Sequence, residues 1–313
     1  MGQAGVEMAM TLGEALGRNL SRVVLGSPGA LAAAVIACLA GGHLLIEDVP
    51  GVGKTMLARS LAISLGGNLA RIQGHPDLLP SDVTGVSVFS PADGTWQFRP
   101  GPVFADVVLF DELNRTPPRT QAALLEAMEE GQVSADGLTR PLPRPHLVLA
   151  TQNPVTELGT FPLVESQRDR FALATSIGYP APEDEARLAL RQAGSNAIDS
   201  LGPVCSPAAW LDAQRATEAI PVAPAIASYA VELSRASRTA PGIRLGASPR
   251  ATIWLLRAAR AHAVISHRSH VVPGDVKAVA VACLAHRLVA EEGIEQAIET
   301  VRRILDGTPS PRP

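Results

Sequence analysis

Gly51, Gly53, Lys54 and Thr55, together with the acidic pair Asp111 and Glu112, are the residues of this 313-residue chain whose types and spacing suit phosphate chemistry. In the run Asp48, Val49, Pro50, Gly51, Val52, Gly53, Lys54, Thr55, Met56, the glycines let the backbone bend. Successive N–H groups and the start of a helix then face phosphate oxygens. Lys54 would reach the β and γ phosphates, and Thr55 would place its hydroxyl on Mg²⁺. Asp48 departs from the general pattern, because it stands where the first glycine is expected. A Gly-Lys-Thr can also arise by chance in a loop, so context decides, and here a strand precedes the turn and a helix follows it.

Asp111-Glu112 ends an uninterrupted apolar run, Val107 to Phe110, that reads as a central strand buried on both faces. Acidic side chains at the carboxyl edge of a parallel sheet are costly unless a cation offsets them. Asp111 would hold Mg²⁺ through water, and Glu112 would orient or deprotonate the attacking water. Asn153, just past the next strand, either contacts the γ phosphate or serves as an Asn-Pro turn former; chemistry alone leaves both open. Arg170 and Arg250 could neutralise charge on a transferred phosphoryl group, although isolated surface arginines are usually only solvated. His262, His267 and His270 match no standard metal-ligand spacing.

These groups need elements to position them. Amphipathic stretches at about Thr11 to Leu25 and Ala30 to Ala40 precede a short strand, His43 to Ile46, that runs into the glycine turn and a helix, Lys54 to Leu65. Further strands are expected near Arg71 to Gln73, Leu147 to Thr151 and Ala172 to Ile177. Val86 and Val88, then Trp96 and Phe98, alternate about an Asp93-Gly94 turn, and a second hairpin turns at Asp136-Gly137 between Val133 and Leu138. Thr116 and Pro117 suit the cap and first position of a helix that Gly131 ends. Beyond Gly178 the periodicity is helical, in Val276 to Leu284 and Ile294 to Leu305, with a frayed tail from Asp306 to Pro313.

At 46% hydrophobic and 18% charged, the chain can bury a sizeable core. A net charge of −3 without a basic stripe argues against nucleic acid as partner. Cys38, Cys205 and Cys283 lack a disulfide or zinc spacing and fit a reducing cytoplasm. The first ten residues lack the order of a signal peptide, and the longest apolar run is too short to span a membrane.

Taken together the residues resemble the MoxR-type AAA+ ATPases, in the group that includes magnesium chelatase ATPase subunits. The resemblance runs through Glu47 to Thr55, Pro76 to Asp82, Phe98 to Pro102, Asp111 to Arg115, Ala123 to Glu130, Thr151 to Pro154, Asp169 to Phe171 and Gly246 to Arg250. It implies an α/β fold, a three-layer αβα core on a five-stranded parallel sheet with inserted β-hairpins (1–178), followed by a small all-helical lid (179–313). It also implies ATP and Mg²⁺ as cofactors, and a tolerated non-glycine at Asp48. Asn153 then looks like a sensor, Arg170 like an arginine finger given to a neighbouring subunit, and Arg250 like a second sensor. Arg168, two positions before Arg170, competes for the finger's place, and whether Arg250 acts within its own subunit is open. A finger in trans implies a homo-oligomeric ring, usually a hexamer, that remodels a protein client together with a von Willebrand factor A domain protein. The alternatives are a slowly hydrolysing scaffold or switch and a metal-chelatase-like subunit.

Overall fold

The computed structural model describes residues 3–49, 51–92, 94–153, 160–191 and 197–311. Pro50 of the glycine turn, Asp93 of the first hairpin turn, Pro154 and the last two tail residues lie outside the described residues.

Helices α1 (Gln3–Val23) and α2 (Pro28–Ala40) lead into β1 (Leu44–Glu47), α3 (Lys54–Leu65) and β2 (Leu69–Gln73). Next come α4 (Pro80–Thr84), the hairpin β3 (Gly85–Ser90) and β4 (Thr95–Pro100), β5 (Val107–Asp111) and α5 (Pro118–Glu130). The second hairpin, β6 (Gln132–Ala135) and β7 (Leu138–Pro141), precedes β8 (Leu147–Gln152), α6 (Glu165–Arg168) and β9 (Leu173–Thr175). The C-terminal part holds α7 (Pro182–Arg191), α8 (Pro207–Glu218), α9 (Pro224–Ser237), β10 (Ile243–Leu245), α10 (Pro249–Ile265), α11 (Pro273–Leu284), β11 (Val289–Ala290) and α12 (Ile294–Gly307).

The five strands β2, β5, β8, β1 and β9 lie in that order in one parallel sheet. Alternate side chains serve its two faces, as the two-residue period requires. Leu44, Ile46, Val107, Leu109, Leu147 and Leu149 join the apolar cluster with α1, α2 and α3, whereas Leu45, Val108, Phe110, Val148 and Ala150 join the cluster with α5. The first cluster continues into Trp210, Tyr229, Leu255 and Val276 of the C-terminal helices. There α8 packs on α1 and α2, and α10 packs on α2. The fold therefore has the α/β architecture that the resemblance implies, a five-stranded parallel sheet followed by a helical part, and that part also carries an antiparallel pair, β10 with β11. Among the described residues no helix is long and apolar enough to cross a membrane.

Several element boundaries differ from the sequence reading. Helix α1 begins at Gln3, before the expected Thr11. Helix α5 begins at Pro118, with Pro117 at the cap position in an extended conformation (ψ 146°). Pro118 disfavours helical backbone at the residue before it, so Pro117 cannot be the first helical residue. Thr116 consequently caps nothing, and its buried hydroxyl has no partner among the described residues. Strand β9 stops at Thr175 because the Ile177 and Gly178 amides donate to the Asp48 carboxylate instead of a ladder. Helix α12 runs on to Gly307, so the tail starts later than Asp306.

His43, at the foot of β1, is buried and uses both ring nitrogens: Nδ1 accepts from Val148 N (3.1 Å), and Nε2 donates to Met128 O (3.3 Å). Burial, with His146 nearby, pushes its pKa down to about 3. Adding a proton would set Nδ1–H against the Val148 N–H. The folded pKa lies below the unfolded one, so the contribution is full above pH 6.5 and is lost as pH falls towards about 3. His286, also fully buried and shifted down, acts in the same direction. Each pH unit below 6.5 should remove up to about 1.4 kcal/mol per such histidine. Thermal melts at pH 7, 6 and 5 should show a falling Tm, with a smaller fall in His43→Gln.

Candidate functional site

The glycine turn leaves the carboxyl edge of the sheet directly after β1. Gly51 (φ 88°) and Gly53 (φ 100°) take left-handed conformations that a side chain resists, and Gly53 caps α3, so the first N–H groups of that helix face outward. A Cβ at either glycine would meet nothing within 4 Å, so the requirement is conformational. Lys54 is buried, and its Nζ donates to Asp48 O (2.9 Å), which bends the side chain back over the turn. Thr55 and Met56 open α3.

Asp48 does not face phosphate with its carboxylate. Oδ1 accepts from Val49 N (2.8 Å), and Oδ2 accepts from Ile177 N (2.6 Å), Gly178 N (2.8 Å) and Ser176 Oγ (3.1 Å). The residue that breaks the glycine pattern thus ties the turn to the segment leaving the core. The Ser27 hydroxyl, just before α2, donates to Ile177 O and closes the same junction.

The acidic pair ends β5 beside the turn. Asp111 Oδ1 accepts from Thr151 Oγ1 (2.7 Å), and Oδ2 pairs with the half-exposed Arg71 (2.8 Å). Glu112 sits at φ 57°, ψ 50°, a left-handed position that costs a non-glycine residue about 1–2 kcal/mol. Its N–H donates to Thr151 Oγ1 (2.8 Å), and its carboxylate accepts from Gln73 Nε2 (3.0 Å) and Arg115 Nη1 (2.9 Å). Gly74 admits this turn, since a Cβ there would lie 2.1 Å from Glu112 O. Asn153 follows β8, its carbonyl accepting from Asn114 Nδ2 (3.2 Å).

A cavity of about 740 Å³ opens beside these groups, with Asp48 and Asn153 on its core side and Ala33, Val281, Ile294 and Ile298 among its apolar walls. Its size and lining suit a nucleoside base and sugar next to a phosphate cradle. Glu47 also lines it; burial raises the Glu47 pKa, while a hydrogen bond from Gln152 and the Arg168 charge oppose the rise.

Arg170 and Arg250 are brought together, but at the other edge of the sheet. Arg170 Nε pairs with Glu129 Oε2 (3.1 Å), and Arg250 Nη2 pairs with Glu129 Oε1. Glu129 closes α5, the helix that runs back from the carboxyl edge, and Arg170 precedes Leu173, which registers with Leu44 at the start of β1. Arg168 lies elsewhere: its charge acts on Glu47 and His286, and its buried Nε has no partner among the described residues. His262, one of the histidines without a ligand spacing, pairs with the buried Asp275 at 2.7 Å.

Comparison with known proteins decides the family. Residues 43–173 match the profile of the ATPase family associated with various cellular activities (AAA), and residues 235–306 match the AAA lid domain. The chain is 44% identical to the uncharacterised protein YeaC of Bacillus subtilis over 96% of this chain and 95% of that one. It is 37% identical to Chaperone MoxR1 of Mycobacterium tuberculosis, over 87% of this chain and 74% of that protein. The crystal structure of a putative ATPase from Cytophaga hutchinsonii superposes with a TM-score of 0.87 at 35% identity, covering 96% of both chains. The chain belongs to the MoxR-type AAA+ ATPases.

ATP binding and hydrolysis come with membership of this AAA+ family. Several side chains that hold the candidate residues escaped the sequence reading: Arg71, Gln73 and Arg115 around the acids, Thr151 beneath them, and Glu129 under the arginines. Thr151 carried a faint signal, a hydroxyl two residues before Asn153 in an otherwise apolar strand. Thr151→Val should remove the donor to Asp111 and strand the Glu112 N–H, costing about 1–3 kcal/mol. Urea denaturation together with steady-state ATPase assays checks this; unchanged values in both would refute a role for the hydroxyl.

Proposed function

We propose that this MoxR-type ATPase works as a homo-oligomeric ring, most simply a hexamer, in which each ATP is hydrolysed between two subunits. Residues 1–178 form its nucleotide-binding core and 179–313 its lid. The output is a chaperone-like remodelling of a protein client in the cytoplasm, with a von Willebrand factor A domain protein as companion. The observation that carries the reading is the shared seat of Arg170 and Arg250 on Glu129, at the sheet edge opposite the chain's own glycine turn. A subunit that keeps its two phosphate-directed arginines away from its own turn has them available for a neighbour. The similarity to Chaperone MoxR1 supports the chaperone-like part.

In this reading the backbone from Asp48 to Met56 holds the phosphates, and the Lys54 ammonium adds positive charge to them. Thr55 and Asp111 offer hard oxygen donors of the kind Mg²⁺ takes when phosphates and water fill its remaining positions. When bound, the ion neutralises charge on the phosphate oxygens. Glu112 orients the attacking water and accepts its proton, once its carboxylate is shared less tightly with Gln73 and Arg115. Asn153 fixes the water or the γ phosphate. Arg170 and Arg250 of the adjacent subunit neutralise charge on the transferred group, releasing ADP and phosphate. Arg168, whose charge acts on Glu47, stays with its own subunit.

Lys54→Ala should abolish nucleotide binding or turnover, and Glu112→Gln should bind ATP but hydrolyse it on the order of 10²–10⁴-fold more slowly. Normal turnover by both overturns the site. Arg170→Ala should be slow where Arg168→Ala is not. The shared site is tested by mixing two inactive chains, Lys54→Ala and the double variant Arg170→Ala/Arg250→Ala. Random co-assembly restores about a quarter of the interfaces, so activity should reappear. A mixture as silent as its components, with mixed rings demonstrated by differential tagging, would sink donation between subunits.

A further inference from the structure

The segment that carries Arg170 and the helix that carries Arg250 meet at one carboxylate. Asp169 accepts from the Ser248 hydroxyl, at 3.1 Å on Oδ1 and 2.9 Å on Oδ2, and from Arg287 Nε at 2.9 Å. Ser248 is the N-cap of α10, and its oxygen accepts from Ala251 N at 3.1 Å. Fixing Ser248 therefore fixes the first turn of the helix, on which Arg250 stands.

Arg287 is 3% exposed and comes from the lid, three residues beyond α11. Its Nη1 donates to the carbonyls of Ala172 (3.1 Å) and Cys283, and its Nη2 to those of Asp169 (3.3 Å) and Phe171. Every N–H direction of the guanidinium fork meets an acceptor on the stretch 169–172 or on the lid. A lysine could not reproduce this, because its ammonium lacks the planar, multiply directed donors. Removing the Asp169 charge would leave the buried guanidinium without a counter-charge.

The arrangement answers an electrostatic difficulty. Arg170 and Arg250 are like charges drawn to one carboxylate, Glu129, and the trio keeps a net positive charge. Their mutual repulsion would spread the two side chains unless their backbones were held by something else. Asp169, next to Arg170 in the chain, and Ser248, two residues before Arg250, are that hold, and Arg287 clamps both to the core.

We propose that Asp169 and Arg287 are positioning residues that keep Arg170 and Arg250 in fixed register, so that one subunit presents both to its neighbour's ATP as a single unit. The proposal rests on donation of these arginines between subunits. It predicts that weakening the clamp damages catalysis in the adjacent site and leaves nucleotide binding in the subunit's own cavity intact.

The test uses full-length assemblies and compares Asp169→Asn, Arg170→Ala and the double variant by kcat, KM and the affinity for a fluorescent ATP analogue. Asp169→Asn should lower kcat about tenfold or more with analogue affinity within about twofold of the parent. The double variant should lose less than the product of the two single losses, because the part of the Asp169→Asn loss that runs through Arg170 is already gone in Arg170→Ala. A merely structural role would instead make the two losses multiply, and that result overturns the proposal. So does a parental kcat in Asp169→Asn beside a slow Arg170→Ala. A parental rate in Arg170→Ala itself overturns the underlying donation and this proposal with it. If Asp169→Asn fails to assemble, Ser248→Asp keeps an N-cap acceptor but opposes carboxylate to carboxylate at the same junction. The same kcat loss is expected there, and a parental rate would count against the clamp.

Discussion

A buried carboxylate at the entrance of the glycine turn holds that turn and the segment leaving the core to one point. Asp48 accepts four hydrogen bonds, one from within the turn and three from residues 176–178, where the chain leaves the core. Hydrogen bonds to a charged group contribute about 1.5–3 kcal/mol each, which is what makes so buried a carboxylate tolerable. The same residue's carbonyl receives the Lys54 ammonium. A glycine at this position would bend as well but would leave the Ile177 and Gly178 amides unpaired. The turn and residues 176–178 are therefore tied into one joint, and the cavity beside them takes its shape from it.

The direction of the sheet then divides the work. All five strands run the same way, so β1, β5 and β8 end together and deliver the turn, the acids and Asn153 to one edge. The opposite edge receives the end of α5 and the approach to β9, and there Glu129 gathers Arg170 and Arg250. A parallel sheet separates its two ends by the length of its strands, about 3.3 Å per residue. One chain therefore carries the glycine turn at one end of its sheet and the two arginines at the other, the separation on which the proposed donation between subunits rests.

What the sequence made legible was local. The strand, turn and helix around Lys54 follow from the order of apolar residues and glycines, and Asp136-Gly137 bends the second hairpin at φ 55° and 72° as that dipeptide favours. Thr116 misled because the effect of consecutive prolines on the preceding backbone outweighed its capping chemistry. Illegible were the contacts across long stretches of chain: Asp48 with Gly178, Gln73 with Glu112, Asp169 with Arg287. Each joins residue types that are ordinary at the surface, and only the fold makes them neighbours. Asp48 illustrates the point, since a family tolerance for a non-glycine explains that it is allowed, whereas its four donors explain what it does.

Strand β8 shows how little freedom the site retains. The Thr151 hydroxyl donates to Asp111 and accepts from the Glu112 amide, so a single oxygen orients both acids and stabilises the left-handed backbone between them. Two residues on, Asn153 directly follows the strand's last residue, Gln152. Because side chains alternate along a strand, a slip of one residue between β8 and β5 would turn Thr151 away from the acids and move Asn153 out of place together. That slip would also exchange Val148 and Ala150 with Leu147 and Leu149 between the two apolar clusters. The register that positions the chemistry is thus held by the packing of both faces, and the cost of a misplaced acid is the cost of a misfolded core.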